Sequence, residues 1–503
     1  MRSSPTLALL LPLLPCAGLA AAPQEAPTAA LGPPSAVAAP ADPAALAGRI
    51  GAFLQGWHDL RQFDGAVLVA DAGEVVYRGA LGLADRDWDV PNALDTRFRI
   101  GGLTKSFTAM LVCLLAQDGA LDLDAPIGRY LPRLPADGAG RVTLHQLLHH
   151  TAGVPRLRAR AGWEHELRRH IPLAEFAAEY CSGALEHEPG AQFRHNVASY
   201  LLAGAVVEAV TGRPFADVLH ERILAPLQLQ DTGCDDPGAV IARRATGYDE
   251  VLGARRVAPW IDTRSLVASD GMYSTVDDLW TWARALDAQR LLRDEPARRM
   301  FTPGYNDYGY GWHIDERGIW HGSFTITPVD GVVPGFRAIL GRQPERGRCI
   351  VLLSNHGYAS VVEAALGIVE LLDGRTPAPP ALPPAWDLAR TILDDGAEEG
   401  LTALQRLPAA LRPAYRLPPG EVEGDLDLLG HRLLRMRRAD EAIRLFAFNT
   451  RAFGESPLPW QSLAAAQVEA GRDQDAIASL RQLLARRPWD EDAKAELAAL
   501  QGR

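Results

Sequence analysis

The sequence has almost no lysine. Of the 51 basic residues in this 503-residue chain, only Lys105 and Lys494 are lysines. The formal net charge is −11, so no global positive field attracts nucleic acid or an anionic membrane surface. We therefore expect no nucleic-acid partner, and each lysine becomes a candidate for a specific role.

Cysteine is also rare. The four cysteines beyond the N-terminal segment are Cys113, Cys181, Cys234 and Cys349. They are scattered and form no Cys-x-x-Cys pair, so their spacing predicts neither a zinc site nor a disulfide framework. Cys113 lies in an apolar stretch and is predicted to be a buried free thiol. His165 and His170 are five residues apart and do not share a helix face, so we expect no metal and no cofactor.

Long apolar runs are missing after the first residues. Arg2 is followed by an apolar stretch at 7–14 and small residues at 16–22, which is typical of a secretory signal peptide. The stretch is too short for a permanent membrane helix. Cys16 suggests a lipoprotein as the alternative, although the residues before it are not the small ones that such sites prefer. We predict export to the periplasm or the extracellular space, with no membrane span.

Composition divides the chain into five segments. The predicted signal peptide (1–22) is followed by an Ala/Pro-rich linker over 23–47. Residues 48–374 mix strand and helix patterns, a Pro-rich linker covers 375–384, and residues 385–503 are almost purely helical in pattern. We therefore predict an α+β domain followed by an all-α domain.

Local patterns place strands at both ends of the α+β domain. Alternating apolar residues over 63–77, interrupted by a Gly-containing turn, predict a β-hairpin. Helical spacing runs over 103–115 and again over 196–210, where Gly212 ends the pattern. A second strand pair is predicted within 337–353. Strands at the ends with helices between them predict one antiparallel sheet that carries helices.

The C-terminal segment repeats itself every 34 residues. The repeated pairs are Leu429 and Leu463, Ala442 and Ala476, Ile443 and Ile477, and Phe446 and Leu480. This period is typical of tetratricopeptide helical hairpins, which stack into a continuous core and bind proteins or peptides. Residues 386–407 fit a degenerate earlier unit. An unrelated helical bundle is the alternative.

Nine short motifs occur in one order along the first domain, at 63–69, 98–101, 104–109, 119–124, 143–153, 226–232, 274–279, 308–312 and 334–336. Together they make roughly residues 50–372 resemble the serine β-lactamase and D-alanyl-D-alanine carboxypeptidase superfamily, in its class C-like branch that includes esterases. The C-terminal repeats are similar to an extension found on some members.

The resemblance implies a serine-hydrolase fold and a particular chemistry. A serine at the start of a helix attacks an acyl carbonyl, and a lysine one turn later helps to remove its proton. A Tyr-x-Asn loop adds a hydroxyl and an amide donor, and a Lys/His-x-Gly strand holds the substrate carboxylate. Backbone N–H groups form the oxyanion hole.

This sequence departs from the family pattern at all three motifs. The equivalent positions, in motif order, are Gly102 and Lys105, His195 and Val197, and Val329 and Gly331. Lys105 and Gly331 keep the family residue, whereas the nucleophile, the tyrosine and the asparagine are missing. An alternative alignment places the His-x-Gly strand at His321.

These departures predict a catalytically silent homologue, an exported binding or scaffolding protein for a peptide-like or carboxylate ligand. The predicted ligand-binding residues are Lys105, His195, Asn196 and Asp330. Taken one by one, Lys105 is interpreted as a hydrogen-bond donor to carbonyls of the pocket, with binding of an anionic ligand as its alternative. His195 is interpreted as a partly exposed loop histidine, with a general base on water beside Lys105 as its alternative. The rival hypothesis is a hydrolase, such as an esterase, amidase or peptidase, with a displaced nucleophile or activated water. In a third interpretation, the helical repeats carry the function and the first domain is a platform.

Overall fold

The computed structural model describes residues 43–155, 167–180, 183–315, 322–326, 333–382, 384–406 and 421–502. The predicted signal peptide and most of the linker that follows it lie outside these residues. The described residues form two compact units. The larger contains residues 43–249 and 257–380, and the smaller contains residues 250–256 and 381–502.

The strands of the described residues, in chain order, are β1 (Gly65–Asp71), β2 (Glu74–Leu81), β3 (Leu83–Asp85), β4 (Val90–Pro91), β5 (Phe98–Arg99), β6 (Gly233–Cys234), β7 (Tyr248–Val251), β8 (Ala254–Val257), β9 (Met272–Ser274), β10 (His313–Asp315), β11 (Gly322–Ile326), β12 (Arg337–Gln343) and β13 (Arg348–Ser354).

The helices of the larger unit are α1 (Pro43–Asp59), α2 (Thr104–Gln117), α3 (Leu144–Leu148), α4 (Leu173–Tyr180), α5 (Val197–Thr211), α6 (Phe215–Leu219), α7 (Ala225–Leu227), α8 (Val276–Asp287), α9 (Asp294–Met300) and α10 (Val361–Leu372). Those of the smaller unit are α11 (Pro384–Asp394), α12 (Ala397–Arg406), α13 (Glu421–Arg435), α14 (Ala439–Ala452), α15 (Leu458–Glu469), α16 (Asp473–Arg486) and α17 (Glu491–Gln501).

A six-stranded antiparallel sheet forms the centre of the larger unit, in the order β10-β11-β12-β13-β1-β2. Alternate residues of each strand point to opposite faces. Val67 and Val69 therefore pack with α1 and α10, whereas Ala66 and Leu68 pack with α2 and the helices around it. The sheet is thus buried on both faces, as an α+β fold with helices on an antiparallel sheet requires.

The first helix starts within the segment predicted as linker. Helix α1 begins at Pro43 and not near Gly48. Its buried residues Leu46, Ile50 and Leu54 recur every four positions, which places one apolar stripe against the sheet. This burial explains why an Ala-rich start folds with the domain.

The predicted hairpins are confirmed. Strands β1 and β2 pair around a turn in which Ala72 has φ 51° and Gly73 has φ 81°, as the tight turn of a twisted hairpin requires. Strands β12 and β13 pair in register from Arg337 to Ser354. Their turn ends at Gly347, which has φ 60°.

The two predicted helices are also present, as α2 and α5. Helix α2 is buried over its first three turns. Helix α5 ends at Gly212, whose φ of 66° is the left-handed C-terminal conformation expected of glycine. Cys113 on α2 is a buried free thiol, as predicted, and burial raises its pKa to about 12.

Beyond residue 381, every element of the described residues is a helix. Helices α13 to α17 contact one another in sequence, each with the next. Within the described residues, no helix combines the length and apolar character needed to cross a bilayer.

Candidate functional site

The position predicted to be equivalent to the family nucleophile lies at the N-terminal end of α2. Gly102 is the middle residue of a 3₁₀ turn, Gly101–Leu103, that leads directly into the helix, and it is buried. Gly101 has φ 49°, a backbone conformation that glycine adopts at little cost. The turn therefore carries no side-chain oxygen at the point where the family places its serine.

The hydroxyl groups in the first turns of α2 already form hydrogen bonds. Ser106 and Thr108 donate to main-chain carbonyl oxygens at 2.8 and 2.7 Å. Thr104 accepts a main-chain N–H at 3.3 Å. All three side chains are fully buried, so none of them can replace the missing serine without rearrangement.

Lys105 forms a buried ion pair with Asp270. Its Nζ lies 3.3 and 3.4 Å from the two carboxylate oxygens of Asp270 and 3.1 Å from the main-chain oxygen of Ser269. The side chains of Lys105 and Asp270 are 3% and 1% exposed. An ammonium group has three donors and no acceptor, and these contacts use them. Lys105 thus donates to a main-chain carbonyl oxygen and to a carboxylate that the sequence analysis did not predict.

Asp270 is the partner of Lys105 that the sequence analysis did not predict. It lies 165 positions from Lys105 in the chain, between Ser269 and Gly271, and no local pattern marks it. The only signal was indirect, because a buried lysine in an apolar helix requires a partner.

His150 ties the neighbouring loop to this region. Its Nδ1 accepts the main-chain N–H of Asn196 at 3.2 Å, and its ring lies 4.4 Å from the ring of His195. Burial, with smaller contributions from His195 and Lys105, lowers the pKa of His150 well below its usual value. His150 is therefore neutral at neutral pH, and it holds the loop that carries the His-Asn-Val sequence.

The three residues of that loop have different environments. His195 is exposed, and Val197 begins α5 half-buried. Asn196 is buried and caps α5, where its Oδ1 accepts the N–H of Ala198 at 3.0 Å. Both hydrogens of its amide are donated to the carbonyls of Val154 and Pro155. The amide donors of Asn196, a predicted ligand-binding residue, are thus used in hydrogen bonds within the fold.

The rings of two tyrosines, Tyr200 and Tyr308, lie beside the ring of His150. Tyr200 donates its hydroxyl to the Leu148 carbonyl at 2.8 Å and is hydrogen-bonded to Tyr308. The Tyr308 ring lies 4.9 Å from the ring of His150. Burial raises the pKa of both phenols, so both stay protonated. Their hydroxyl groups thus form hydrogen bonds with the Leu148 carbonyl and with each other.

Part of the predicted site lies outside the described residues. Val329, Asp330 and Gly331 belong to this part, as does His321 of the alternative alignment. Where the structure is described, no three His, Cys, Asp or Glu side chains are grouped as metal ligands.

Comparisons with known proteins agree with this fold. The Beta-lactamase family matches residues 52–373. Esterase EstB of Burkholderia gladioli is 37% identical over 206 residues, which cover 38% of this chain and 52% of the esterase. The match thus spans about half of that relative. Penicillin-binding protein 4* of Bacillus subtilis is 26% identical over 330 residues, 61% of this chain and 71% of that protein.

A solved structure extends the comparison to three dimensions. The D-amino acid amidase from Ochrobactrum anthropi SV3, complexed with L-phenylalanine amide, superposes with a TM-score of 0.56 at 26% identity. The superposition covers 66% of this chain and 99% of the amidase. Since the family match covers more than half of the chain and the fold agrees with it, the chain belongs to the Beta-lactamase family and has the serine-hydrolase fold of penicillin-binding proteins.

Proposed function

We propose that this protein is a catalytically silent member of its family that acts by binding. The observation that carries the proposal is the ion pair between Lys105 and Asp270. Lys105 lies in the first turn of α2, and Gly102, at the position of the nucleophile, lies in the 3₁₀ turn just before this helix. A lysine that donates to a carboxylate and a carbonyl is not free to take a proton from an attacking hydroxyl. The position that would supply that hydroxyl has none.

The size of the expected loss supports this proposal. Removing the nucleophile from a catalytic unit of this kind costs about 10⁶-fold in kcat, or roughly 8 kcal/mol. The nearest hydroxyls along α2 are buried and hydrogen-bonded. Exposing one of them would break those bonds and add to the barrier.

The proposed ligand is peptide-like or carries a carboxylate. One of the relatives is named penicillin-binding protein 4*, and the solved structure is that of an amidase complexed with L-phenylalanine amide. Among the predicted ligand-binding residues that the structure describes, His195 has an exposed side chain, whereas Lys105 and Asn196 are buried. We therefore expect His195 to be the residue of this set that contacts a ligand.

Intact-mass measurement tests whether the protein is silent. The full chain is incubated with a penicillin and, separately, with a fluorophosphonate. We expect no stable adduct with either reagent, because without an attacking oxygen no ester forms. A mass increase that maps to peptide 98–110 would overturn the proposal.

The second candidate function is hydrolysis by activated water. It is favoured by the exposed imidazole of His195, which could activate a water and whose ring lies 4.4 Å from the ring of the neutral His150. The test is hydrolysis of a chromogenic ester by the wild type and by His195→Ala and His220→Ala, since His220 is an exposed histidine elsewhere in the unit. Turnover that only His195→Ala abolishes would establish this candidate. Equal background rates in all three proteins would reject it.

We also propose that the C-terminal helices are tetratricopeptide-like and bind a protein or peptide. Helices α14 and α16 begin 34 residues apart, at Ala439 and Asp473, and also end 34 residues apart. The eight residues of the 34-residue repeat are all buried. Their common burial supports the repeated packing that such hairpins use.

Peptide selection tests this binding role. A Cβ on Gly430 of α13 would lie 2.4 Å from the ring of the buried Phe446, whereas a Cβ on Gly424 of the same helix meets nothing within 4 Å. Peptides are selected from a displayed library on the full chain. We expect Gly430→Ala to lose them and Gly424→Ala to keep them. Equal retention by both variants would contradict a binding surface built by this packing.

Export to the periplasm or the extracellular space remains part of the proposal. It is tested by fractionating cells that express the full chain or a chain that lacks residues 1–22. We expect only the full chain in the exported fraction, and equal distribution would refute the proposed signal peptide.

A further inference from the structure

Five of the 13 histidines of the chain lie together next to the candidate site. They belong to three segments that are distant in the sequence, namely the end of α3, the loop before α5 and the segment that leads into β10. Their rings contact one another directly or through a tyrosine ring. These residues form the histidine cluster, which consists of His145, His149, His150, His195 and His313.

His150 connects α3 with the loop before α5. Its main-chain oxygen accepts the N–H of Arg194 at 2.8 Å, and its Nδ1 accepts that of Asn196 at 3.2 Å. Its ring lies 4.4 Å from the ring of His195 in the same loop. His150 has φ 56°, a left-handed conformation that costs free energy in a residue other than glycine. The contacts of the cluster thus hold a strained residue in place.

His145 and His149 connect α3 with the segment before β10. Nδ1 of His145 is hydrogen-bonded to the hydroxyl of Tyr310 at 2.7 Å. The ring of His149 lies 4.7 Å from that of His145 and 4.9 Å from that of Tyr310, and His149 is hydrogen-bonded to the main chain of Tyr308. The ring of Tyr308 lies 4.9 Å from that of His313. The cluster therefore joins all three segments.

The charges that act most strongly on the two buried histidines of the cluster are positive. Lys105 of α2, which is paired with Asp270, acts on His150, and Arg299 of α9 acts on His149. Burial, with smaller contributions from neighbouring positive groups, lowers the pKa of His149 to about 4 and that of His150 well below its usual value. Both rings are therefore neutral at pH 7.

Two acidic groups face the outer histidines of the cluster. Asp124 raises the pKa of His145, but it is itself paired with Arg299 through two hydrogen bonds of 2.7 Å. Asp307 raises the pKa of His313. Burial still lowers the pKa of both histidines overall. Neither carboxylate is among the groups that act most strongly on the two buried histidines, so these have no nearby negative charge to stabilise a proton.

We propose that the histidine cluster is an acid-sensitive switch, which holds the loop before α5 closed at neutral pH and releases it reversibly when the buried histidines are protonated. Imidazolium ions at these ring distances repel one another, and a buried ring that becomes charged is stabilised by reaching water. Separation of the three segments allows both, and it also frees His150 from its left-handed conformation. The released loop carries His195 and Asn196, so acid changes access to the candidate site.

Hydrogen exchange of the full chain at pH 7 and pH 5 tests this switch, with rates corrected for the pH dependence of intrinsic exchange. An open state in which His149 has the ordinary pKa of 6.5 is favoured about 20-fold more at pH 5 than at pH 7. We expect at least this increase in the opening constants of peptides within 144–155, 193–200 and 304–313. Peptides of β12 and β13 should change less than about threefold, and return to pH 7 should restore protection.

His149→Gln keeps an amide that can donate to the main chain of Tyr308, but it does not take up a proton in this range. We expect this variant to reduce the acid response by about 20-fold. His220→Gln is the matched control, because His220 is an exposed histidine elsewhere in the same unit, and it should leave the response unchanged.

The wild type alone can refute the switch, whether or not the variants fold. The proposal is overturned if its cluster peptides open no more at pH 5 than at pH 7. It is also overturned if the β12 and β13 peptides open equally, since the whole unit is then unfolding. A His149→Gln variant that is folded at pH 7 and keeps the full acid response would overturn it as well.

Discussion

Replacing Lys105 by methionine tests the central contact of the candidate site. The change keeps most of the side-chain volume and removes the ammonium group. It leaves the carboxylate of Asp270, 1% exposed, without its cation. The chain offers a matched control, because its other lysine, Lys494, pairs with Glu491 at 2.7 Å on an exposed helix surface.

The two lysines should differ strongly in their energetic role. At 3.3 Å, the Lys105–Asp270 attraction is about 5 kcal/mol at an effective dielectric constant of 20. Breaking a buried pair by removing one partner typically costs about 3–5 kcal/mol, because the remaining charge is uncompensated. Lys494 and Glu491 have side chains that are 46% and 80% exposed, and an exposed pair contributes less than about 1 kcal/mol.

Hydrogen exchange followed by mass spectrometry measures each unit separately, which matters in a chain of two units. We expect Lys105→Met to lower the opening free energy of α2 peptides by about 3–5 kcal/mol. Lys494→Met should change that of α17 peptides by less than about 1 kcal/mol.

A double-mutant cycle checks the pairing itself. Asp270→Asn added to Lys105→Met should cost clearly less than the sum of the single changes, because no lone buried charge remains. The ion pair would be refuted if the two changes lowered the opening free energy additively, or if Lys105→Met lowered it no more than Lys494→Met does. Lys105 would then be available for catalysis.

Three further predictions concern other parts of the chain. Gly430→Ala should destabilise its helical unit by about 1–3 kcal/mol relative to Gly424→Ala through overpacking, as read by exchange of α13 peptides; equal stability would contradict the packing. Burial lowers the pKa of His149 from 6.5 to about 4. The unfolded chain therefore binds this proton first as pH falls, and up to about 3 kcal/mol of stability is lost between pH 6.5 and pH 4. His149→Gln should flatten the melting-temperature profile in that window, and an unchanged profile would refute this. Gly102→Ser should restore almost no ester hydrolysis, no more than the helix control Gly48→Ser; turnover on the order of 1 s⁻¹ would show that the remaining machinery is intact.

Local sequence determined the secondary elements because their signals span only a few residues. Alternation of apolar residues with a Gly-containing turn was enough for the β1–β2 hairpin, and Gly212 marked the end of α5. The 34-residue offset predicted the spacing of α14 and α16. The linker was predicted to extend to residue 47, because Pro43 to Ala47 resemble it in composition, but these residues form the first turn of α1, whose apolar stripe packs on the sheet.

Sequence also predicted the departures at the family motifs, since each is a single residue at one position of a motif. It could not say how the retained residues are used. Asn196 has the right chemistry for binding a ligand, but its Oδ1 accepts the N–H of Ala198 to cap α5, and its Nδ2 donates to two main-chain carbonyls. That outcome depends on which carbonyls the fold brings to within hydrogen-bond distance.

Only the tertiary structure decided the partner of Lys105 and that of Arg342, whose guanidinium pairs with Asp287. Asp270 lies 165 positions from Lys105, and Asp287 lies 55 positions from Arg342, so no local pattern links either pair. Burial makes an unpaired charge costly, so removing either partner of such a pair destabilises the fold. Periodicity and turn residues act between neighbours in the chain, whereas desolvation acts between neighbours in space, and this is why the sequence determined the elements and only the fold decided the contacts of the site.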